Sequence, residues 1–377
     1  MIDAAYLHIP FCEHICHYCD FNKVFLKGQP VDEYLLALDQ EMIMTLNQYP
    51  SDKLKTIFVG GGTPTSLNEM QLSMFCESIN KNLPKSDEVE FTFEANPGDL
   101  SMSKLQILKD AGVNRISLGV QTFNDELLKK IGRVHRAKDV FQSIENIKKV
   151  GFANISIDLI FSLPTQTLSD FKESLTEAFS LDINHYSAYS LIIEPKTIFY
   201  NLMQKGKLPT PGEDIEASMY EILMEEMEQH GFRQYEISNF SKPGFESKHN
   251  LTYWNNDFYY GFGAGAHSYV NGWRRSNSGP LKKYIDSINN GILPLFDEHQ
   301  ATTTEQMEEE MFLGLRKTAG VSISKFADKF GIDPRQLFKN EIAELTNKGW
   351  LEVSHEYIHL SKIGRLLGNE VFQAFLR

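Results

Sequence analysis

Three cysteines lie within eight residues near the beginning of the sequence. Cys12, Cys16 and Cys19 have the spacing C-x3-C-x2-C and follow an apolar run that predicts a buried strand, whereas Cys76 stands alone in a helical pattern. Three thiolates on one loop can hold a [4Fe–4S] cluster and leave one iron without a protein ligand. A zinc site completed by a nearby histidine is compatible with the same spacing. The spacing therefore predicts a metal site and leaves the metal open; the candidate histidines for zinc are His8, His14 and His17.

Six short apolar runs rich in β-branched and aromatic residues predict buried strands. They span residues 4–9, 54–59, 88–95, 115–120, 154–161 and 185–192. Helical patterns separate them, at 31–49, 69–83, 102–111, 125–131, 139–150 and 169–181, and Ser169 is predicted to cap the last of these helices. This alternation predicts a parallel sheet with helices outside, either doubly wound or a partial barrel.

The position of the polar residues favours the barrel. Cys12, the glycines 60–62, Glu94, Gln121 and Asp158 all occur at, near or just past the carboxyl ends of predicted strands. In a barrel those strand ends surround a single site. We therefore expect these residues to meet at one end of the barrel.

Composition limits the possible partners. The chain has 377 residues with 37 Lys+Arg against 50 Asp+Glu, a formal net charge of −13, which argues against electrostatic binding of nucleic acid. Hydrophobic residues make up 42%, enough for a packed core. Because the sequence has no apolar run of membrane-spanning length and no signal-peptide pattern, we expect a cytoplasmic protein that does not span a membrane.

The second half of the chain is less regular. A helix is predicted at 213–231, followed by a stretch rich in Gly, Asn and aromatic residues, and then by helices and a short hairpin that resemble a winged helix. Since residues 320–377 hold eight Lys/Arg and seven Asp/Glu, a packing role is favoured over DNA reading. We expect three regions, 1–238, 239–301 and 302–377.

Several ordered motifs are similar to those of the radical S-adenosylmethionine (SAM) enzymes, and more narrowly to the HemN family of oxygen-independent coproporphyrinogen III oxidases and related haem chaperones. They are YLHIPFC (6–12), GGGTP (60–64), EANP (94–97), SLGVQTF (117–123), IGRVH (131–135) and DLIFSLPTQT (158–167). The resemblance implies a partial (β/α)6 barrel with a mainly helical, winged-helix-like C-terminal domain. It also implies a [4Fe–4S] cluster on Cys12, Cys16 and Cys19, with SAM bound beside it.

The same resemblance assigns the residues around SAM. Gly60, Gly61, Gly62 and Thr63 would bring backbone close to the ligand, because glycine has no Cβ. The side chains of Glu94, Gln121 and Asp158 would bond the SAM ammonium and ribose hydroxyls, and Arg133 would hold its carboxylate. Two aromatic residues, Tyr6 and Tyr18, would pack around the cluster.

Two features resemble the haem-chaperone branch of the family. Phe21 stands where the oxidases carry a further cysteine, and residues 249–254 match the HNxxYW signature of the chaperones. The resemblance implies haem binding and delivery to acceptor proteins, with respiratory, membrane-associated proteins among the candidates, and it leaves a homodimer open. An active radical SAM oxidase acting on a porphyrinogen and a structural zinc protein remain the alternative functions.

The HNxxYW signature suits haem chemically. The imidazole of His249 is a standard type of axial ligand for haem iron, and Tyr253 and Trp254 offer flat surfaces for a macrocycle. A single loop histidine is more often only hydrogen-bonded, so His267 and His135 remain alternative ligands. The sequence does not determine which residue ligates haem or whether SAM is cleaved.

Overall fold

The computed structural model describes residues 2–376, and its main feature is an open sheet of twelve strands. A three-stranded and a two-stranded sheet accompany it within these residues. The strands are β1 (Ala4–Ile9), β2 (Phe11–Cys12), β3 (Val24–Phe25), β4 (Leu54–Gly61), β5 (Lys85–Ala95), β6 (Arg115–Gln121), β7 (Asn154–Phe161), β8 (His185–Ser190), β9 (Arg233–Glu236), β10 (Asn239–Ser241), β11 (Tyr259–Phe262), β12 (His267–Val270), β13 (Trp273–Asn277), β14 (Leu295–Gln300), β15 (Val321–Ser322), β16 (Leu351–Val353) and β17 (Tyr357–Leu360).

Helices follow most of the central strands, and a 3-10 turn spans Pro64–Ser66. Among the described residues, no helix has the length and apolar character needed to cross a membrane. The helices are α1 (Val31–Gln48), α2 (Glu69–Asn82), α3 (Met102–Asp110), α4 (Asp125–Lys130), α5 (Ala137–Lys149), α6 (Leu168–Ser180), α7 (Ile198–Gln204), α8 (Glu213–Gln229), α9 (Lys248–Trp254), α10 (Leu281–Asn289), α11 (Thr303–Gly314), α12 (Ile323–Phe330), α13 (Pro334–Leu337), α14 (Lys339–Asn347), α15 (Lys362–Leu366) and α16 (Gly368–Gln373).

The middle of the large sheet is the predicted parallel unit. Strands β1, β4, β5, β6, β7 and β8 are adjacent in that order and pair in parallel. Most residues of these strands are apolar and buried, in nearly continuous runs. This is the pattern expected of parallel strands that are covered on both faces. The sheet is not closed, with β14 and β9 at its two edges. The predicted partial (β/α)6 architecture is confirmed.

Residues 239–301 contribute to this sheet. Strand β11 pairs in parallel with β1, aligning Ala4 with Tyr259, and β12, β13 and β14 continue from it as antiparallel strands. At the other edge, β10 pairs antiparallel with β8. The segment with the HNxxYW signature therefore lies beside the first strand of the barrel rather than remote from it.

One predicted helix start is wrong. Helix α6 is capped by Thr167, whose hydroxyl accepts a hydrogen bond from the Asp170 backbone N–H at 3.2 Å. The Asp170 carboxylate accepts from the Thr167 N–H at 2.9 Å, which completes a capping box. Ser169 lies inside the first turn instead, and its hydroxyl donates to Glu173.

The C-terminal residues have a core of their own. Helices α11 to α14 precede the hairpin β16–β17, and β15 joins this hairpin through β17. Their buried apolar side chains, such as Met311, Phe326 and Phe338, form a hydrophobic cluster separate from that of the large sheet. This is the expected mainly helical domain with a short sheet.

Candidate cofactor site and the adjoining cavity

A cavity of about 470 Å³, here called the cofactor cavity, lies at the carboxyl ends of the parallel strands. Most of the residues that the sequence assigned to the cluster and to SAM line it. They are Cys12, Cys16, Tyr18, Cys19, Gly61, Gly62, Thr63, Glu94, Gln121, Arg133 and Asp158. Gly60 lies directly behind the wall, because a Cβ there would be 2.6 Å from Glu94 Oε2.

Cys12 occupies the most enclosed position of the three cysteines. It ends β2, and its thiol lies 3.7 Å from the Thr63 hydroxyl. A Cβ on Gly62 would lie 2.9 Å from the Cys12 sulfur, so glycine is required for this approach. Burial raises the pKa of the Cys12 thiol to about 11, and a metal must therefore displace its proton when it binds.

Cys16 and Cys19 are partly exposed on the cysteine loop, defined here as residues 12–22. In the described part of the chain, no three His, Cys, Asp or Glu side chains are close enough to share one metal ion. A four-iron cluster offers a different iron atom to each thiolate, and the three thiols around one cavity are the donor set that such a cluster uses. The residues present therefore fit the cluster.

Hydrogen bonds of two histidines to backbone carbonyl oxygens fix the cysteine loop. His8 Nε2 bonds the Asn22 carbonyl oxygen at 2.7 Å, and His8 Nδ1 bonds the Tyr6 hydroxyl at 2.9 Å. His17 Nδ1 bonds the Lys130 carbonyl oxygen at 2.9 Å. Two of the three histidines considered for zinc thus hold the loop in place.

The far wall of the cofactor cavity combines two half-buried carboxyl groups with the guanidinium groups of Arg115 and Arg133. Glu94 Oε2 accepts a hydrogen bond from the Gly61 backbone N–H at 3.0 Å, and Asp158 accepts one from the Ser117 hydroxyl at 3.3 Å. Burial, and then the charge of Asp158, raises the pKa of Glu94 to about 8. Burial also raises the pKa of Asp158.

Arg133 supplies positive charge to this wall. Its Nη1 donates to Asn96 Oδ1 at 2.6 Å, while its Nε is buried without a hydrogen-bond partner among residues 2–376. Buried polar groups are normally paired, so a free donor at a cavity wall indicates a place for an acceptor on a ligand. Carboxyl groups and a guanidinium in one cavity suit a ligand with an ammonium and a carboxylate, as the methionine part of SAM has.

Gln121 ends β6 in a left-handed backbone conformation, with φ of 69°. Such a conformation is unfavourable for a residue other than glycine and is found preferentially at functional sites. Gln121 is also buried and lines the cofactor cavity.

Among the residues of the cofactor cavity that sequence reasoning missed are Arg115 and Asn96. Arg115 is only 2% exposed, and its Nε has no partner within the described chain. The signal for Arg115 was a charged residue at the start of the otherwise apolar run RISLGV. Asn96 lay inside the quoted motif EANP, and its role as partner of Arg133 needed the structure.

A second cavity of about 550 Å³, here called the aromatic cavity, adjoins the first. Tyr253 and Trp254 of the HNxxYW signature line it, together with Tyr6 and His267. Tyr6 therefore lies beside the HNxxYW helix in the structure. Two residues of the cysteine loop, Asp20 and Phe21, line both cavities, so the loop forms a shared wall.

Trp254 also has an unpaired donor. Its indole Nε1 is buried and has no hydrogen-bond partner in the part of the chain that the structure describes. The Arg316 guanidinium lies over the indole ring, 4.5 Å from its centroid.

The three histidines considered for haem have different surroundings. His249 is 1% exposed, with Nδ1 bonded to the Thr56 hydroxyl and Nε2 to the Tyr253 hydroxyl, both at 2.8 Å. His135 is buried, bonds the Val120 carbonyl oxygen at 3.2 Å and lines neither cavity. His267 is exposed and lines the aromatic cavity.

The family models match two parts of the chain. Residues 6–178 match the radical SAM superfamily, and residues 301–367 match the HemN C-terminal domain. Among solved structures, the coproporphyrinogen III oxidase HemN from Escherichia coli is similar, with a TM-score of 0.87, 23% identity, and coverage of 99% of this chain and 90% of that one. This likeness shows a shared fold.

Curated relatives define the family more closely. The heme chaperone HemW of Bacillus subtilis is 61% identical over 99% of this chain and 99% of its own length. The heme chaperone HemW of Lactococcus lactis is 46% identical over 99% of this chain and 97% of its own length. The chain therefore belongs to the heme chaperone HemW family of the radical SAM superfamily.

Proposed function

We propose that this protein is a haem-binding chaperone that carries a SAM-coordinated [4Fe–4S] cluster and delivers haem to acceptor proteins. The observation that carries the proposal is the aromatic cavity, which is lined by the HNxxYW residues Tyr253 and Trp254 and shares a wall with the cysteine loop. Two relatives that match this chain over almost its full length are named heme chaperones.

The cofactor cavity is assigned to the cluster and SAM. Cys12, Cys16 and Cys19 are the cluster ligands, and Glu94, Gln121, Arg133 and Asp158 bind SAM, with the glycines 60–62, Thr63 and Tyr18 supporting them. When bound, a cluster held by these three cysteines would have one iron without a protein ligand and would supply the electron for any reductive cleavage of SAM. Glu94 and Asp158 accept hydrogen bonds from ammonium and hydroxyl groups, and the buried Arg133 guanidinium neutralises a carboxylate.

The aromatic cavity is assigned to haem. Its volume of about 550 Å³ is within the usual range for sites of small molecules and cofactors. The rings of Tyr6, Tyr253 and Trp254 supply flat apolar surface for a macrocycle. Haem is the cargo of this site, and the cluster with SAM is the resident group.

The alternative of a porphyrinogen oxidase is not favoured. The likeness to the HemN structure is a likeness of fold at 23% identity, whereas HemW relatives reach 61%. Phe21 stands at the position where the resemblance places a further oxidase cysteine. Acceptor proteins of the respiratory, membrane-associated kind and a homodimer belong to the proposal through the family resemblance alone, whereas the cytoplasmic location is the expectation drawn from the sequence.

Anaerobic purification tests this function. Iron, sulfide and haem are quantified in the full-length chain, and SAM cleavage is measured with and without coproporphyrinogen III. We expect a four-iron cluster, stoichiometric haem binding and no decarboxylation. A chain that ignores haem but decarboxylates coproporphyrinogen III under reducing conditions would refute the chaperone function.

A variant of the cavity wall sharpens this test. Trp254→Ala should weaken haem binding without changing the iron ligation, because it removes stacking area and leaves the ligand in place. Phe296→Ala is the matched control, since Phe296 is an aromatic residue that is 78% exposed and lines neither cavity. Equal haem affinity in the two variants would contradict the placement of haem in the aromatic cavity.

A further inference from the structure

His249 is engaged as a structural residue in this conformation. Both ring nitrogens are hydrogen-bonded, to Thr56 and to Tyr253, and its ring stacks on Phe58 with 5.1 Å between centroids. Its backbone N–H donates to the buried Glu90 carboxylate at 3.0 Å. An axial ligand needs a nitrogen lone pair that faces the iron, and His249 offers one only after a buried hydrogen bond is broken.

His267 is free to bind. Within residues 2–376, its imidazole makes no hydrogen bond to another side chain or to backbone, and it is exposed while lining the aromatic cavity. It is the first residue of β12, where it pairs with Ser276 of β13. A strand position holds the Cα in place and leaves the side chain available.

The chain approaches His267 through a backbone that only glycine permits. A Cβ on Gly261 would lie 1.8 Å from the His267 carbonyl oxygen, so no side chain fits there. Gly263 and Gly265 have φ of +100° and +75°, in the region that favours glycine. The glycines of GFGAGAH (261–267) therefore allow the backbone of this turn to pack closely against the backbone of His267.

Buried hydrogen bonds make this turn rigid. The Gly263 N–H donates to the buried Glu41 carboxylate at 2.7 Å, and Asn277 Nδ2 donates to the Gly263 carbonyl oxygen at 2.9 Å. The Ala264 N–H donates to the Tyr34 hydroxyl at 3.0 Å. Because the backbone that carries His267 is already held in place, little conformational freedom is lost when this residue binds the iron, and this favours affinity.

The same turn is attached to the cysteine loop. Asn22 Nδ2 donates to the carbonyl oxygens of Ala264 and Gly279, at 2.8 and 3.0 Å. His267 therefore has a fixed place relative to the loop that carries the cluster ligands. The turn that carries His267 is therefore bonded to the cysteine loop, which forms the wall shared by the two cavities.

We propose that His267 is an axial ligand of the haem iron and that His249 is a positioning residue, which holds the Tyr253 ring in the cavity wall through the 2.8 Å hydrogen bond. The inference rests on the proposed haem-binding function. Neutral imidazole donates a nitrogen lone pair to the iron, and no bond of the haem is broken.

Haem titrations of four full-length, anaerobically reconstituted proteins test the assignment: wild type, His267→Ala, His249→Ala and His355→Ala. His355 is an exposed histidine that lines neither cavity and serves as the control. In His267→Ala we expect the imidazole-ligated Soret and EPR signature to be lost and the haem Kd to rise about tenfold or more, with added imidazole restoring the spectrum. His249→Ala and His355→Ala should keep the wild-type ligation signature.

Results that would overturn the ligand assignment differ from results that would refute the proposed function. A wild-type spectrum and affinity in His267→Ala, or haem loss that imidazole does not restore, would overturn the ligand assignment. His267→Met is a second variant, because a thioether ligand changes the Soret and EPR signature if residue 267 binds iron, and an unchanged signature would also overturn it. Failure of the wild type to bind haem in stoichiometric amount would instead refute the proposed function.

Discussion

The two cavities differ in how the chain builds them. The cofactor cavity is formed mainly by side chains of successive parallel strands and the loops that follow them, and it contains ionisable groups, with Glu94 and Asp158 beside Arg133. The aromatic cavity is formed by Tyr6 and His8 of β1, residues 253–274, the cysteine loop and Leu313 of α11, and its aromatic side chains include three tyrosines and Trp254. Strand order predicts the first kind of site, whereas the second kind depends on contacts between distant segments.

The difference also concerns chemistry. Desolvated charges select a small ligand with complementary charges, since an unmatched ligand leaves a buried charge unpaired. Aromatic walls accept a large flat ligand with less demand for exact polar contacts. A resident cofactor suits the first arrangement and a cargo that must be released suits the second.

The largest expected effect is on the cluster. Cys12→Ala, Cys16→Ala or Cys19→Ala should each abolish the thiolate-to-iron absorption and the bound iron, because each removes the ligand of one iron atom. Cys76→Ala is the control, since Cys76 is buried in α2 away from the cavity and should leave the iron content unchanged. One equivalent of zinc without iron after anaerobic reconstitution would contradict this account.

The second prediction concerns pH and the buried charges of the cofactor cavity. Burial raises the pKa of Glu94 from 4.5 to about 8, so without SAM the folded chain keeps a proton that the unfolded chain loses. The contribution of this proton to the free energy of unfolding is fully present below pH 4.5, and it is lost as the pH rises through about 8. Glu94→Gln removes this pH dependence. Between the two pH values, the free energies of unfolding of the wild type and the variant should therefore change by amounts that differ by on the order of a few kcal/mol.

Urea unfolding of the SAM-free protein on either side of this window measures the difference. The unfolding free energy of the wild type should fall with rising pH relative to Glu94→Gln. Glu33→Gln, at an exposed position in the first turn of α1, should follow the wild type. Parallel pH profiles for the wild type and Glu94→Gln would show that Glu94 is not a buried, protonated carboxyl group.

The third prediction concerns SAM affinity. Glu94→Ala, Gln121→Ala and Asp158→Ala should each weaken SAM binding while the cluster spectrum stays intact, because these residues are assigned to the ligand and not to iron. Loss of a charged hydrogen bond costs about 1.5–3 kcal/mol, or roughly 10- to 150-fold in affinity. Equilibrium dialysis measures it, and unchanged affinity in all three variants would mean that the pocket is misplaced.

Much of the fold followed from local pattern. Six apolar runs became six adjacent parallel strands because burial on both faces requires such runs. The start of α6 was misjudged because Thr167 and Ser169 are both capping residues, and only the reciprocal bond of Asp170 to Thr167 decides between them. Local sequence does not record which of two competing caps is used.

The site shows the same limit. Glu94 and Asp158 were found because they interrupt apolar runs, Glu94 next to the end of β5 and Asp158 within β7. Asn22 was not singled out, because its two partners lie more than 240 residues away. The identity of His249 gave no indication that both its nitrogens are already bonded. Hydrogen bonds between distant residues are set by tertiary packing, which a single sequence does not display.

The fourth prediction tests the connection between the cavities. Asn22→Ala removes the hydrogen bond to Ala264 in the turn that carries His267 and the one to Gly279, and it also frees part of the cysteine loop. A net loss of about 1 kcal/mol, or roughly fivefold in haem affinity, is expected together with weaker retention of iron. Haem titration and iron analysis measure the two effects.

Asn290→Ala is the matched control for Asn22→Ala. Asn290 is exposed and also donates its side chain to a backbone carbonyl, that of Asp286 in its own helix. It should change neither haem affinity nor iron content. An Asn22→Ala protein that loses one property and keeps the other would show that the two cavities are independent.

The smallest expected effect separates the two candidate haem ligands. Tyr253→Phe keeps the aromatic ring and removes the hydroxyl that bonds His249 Nε2. If His267 ligates the iron, haem affinity should fall by no more than about twofold, with the ligation spectrum unchanged, because only a positioning contact worth about 0.5 kcal/mol is lost. If His249 were the ligand, the same substitution would release its nitrogen from a competing bond, and haem would bind more tightly. The direction of the change in Kd, measured beside the Soret band, therefore decides between the ligands even though its size is small.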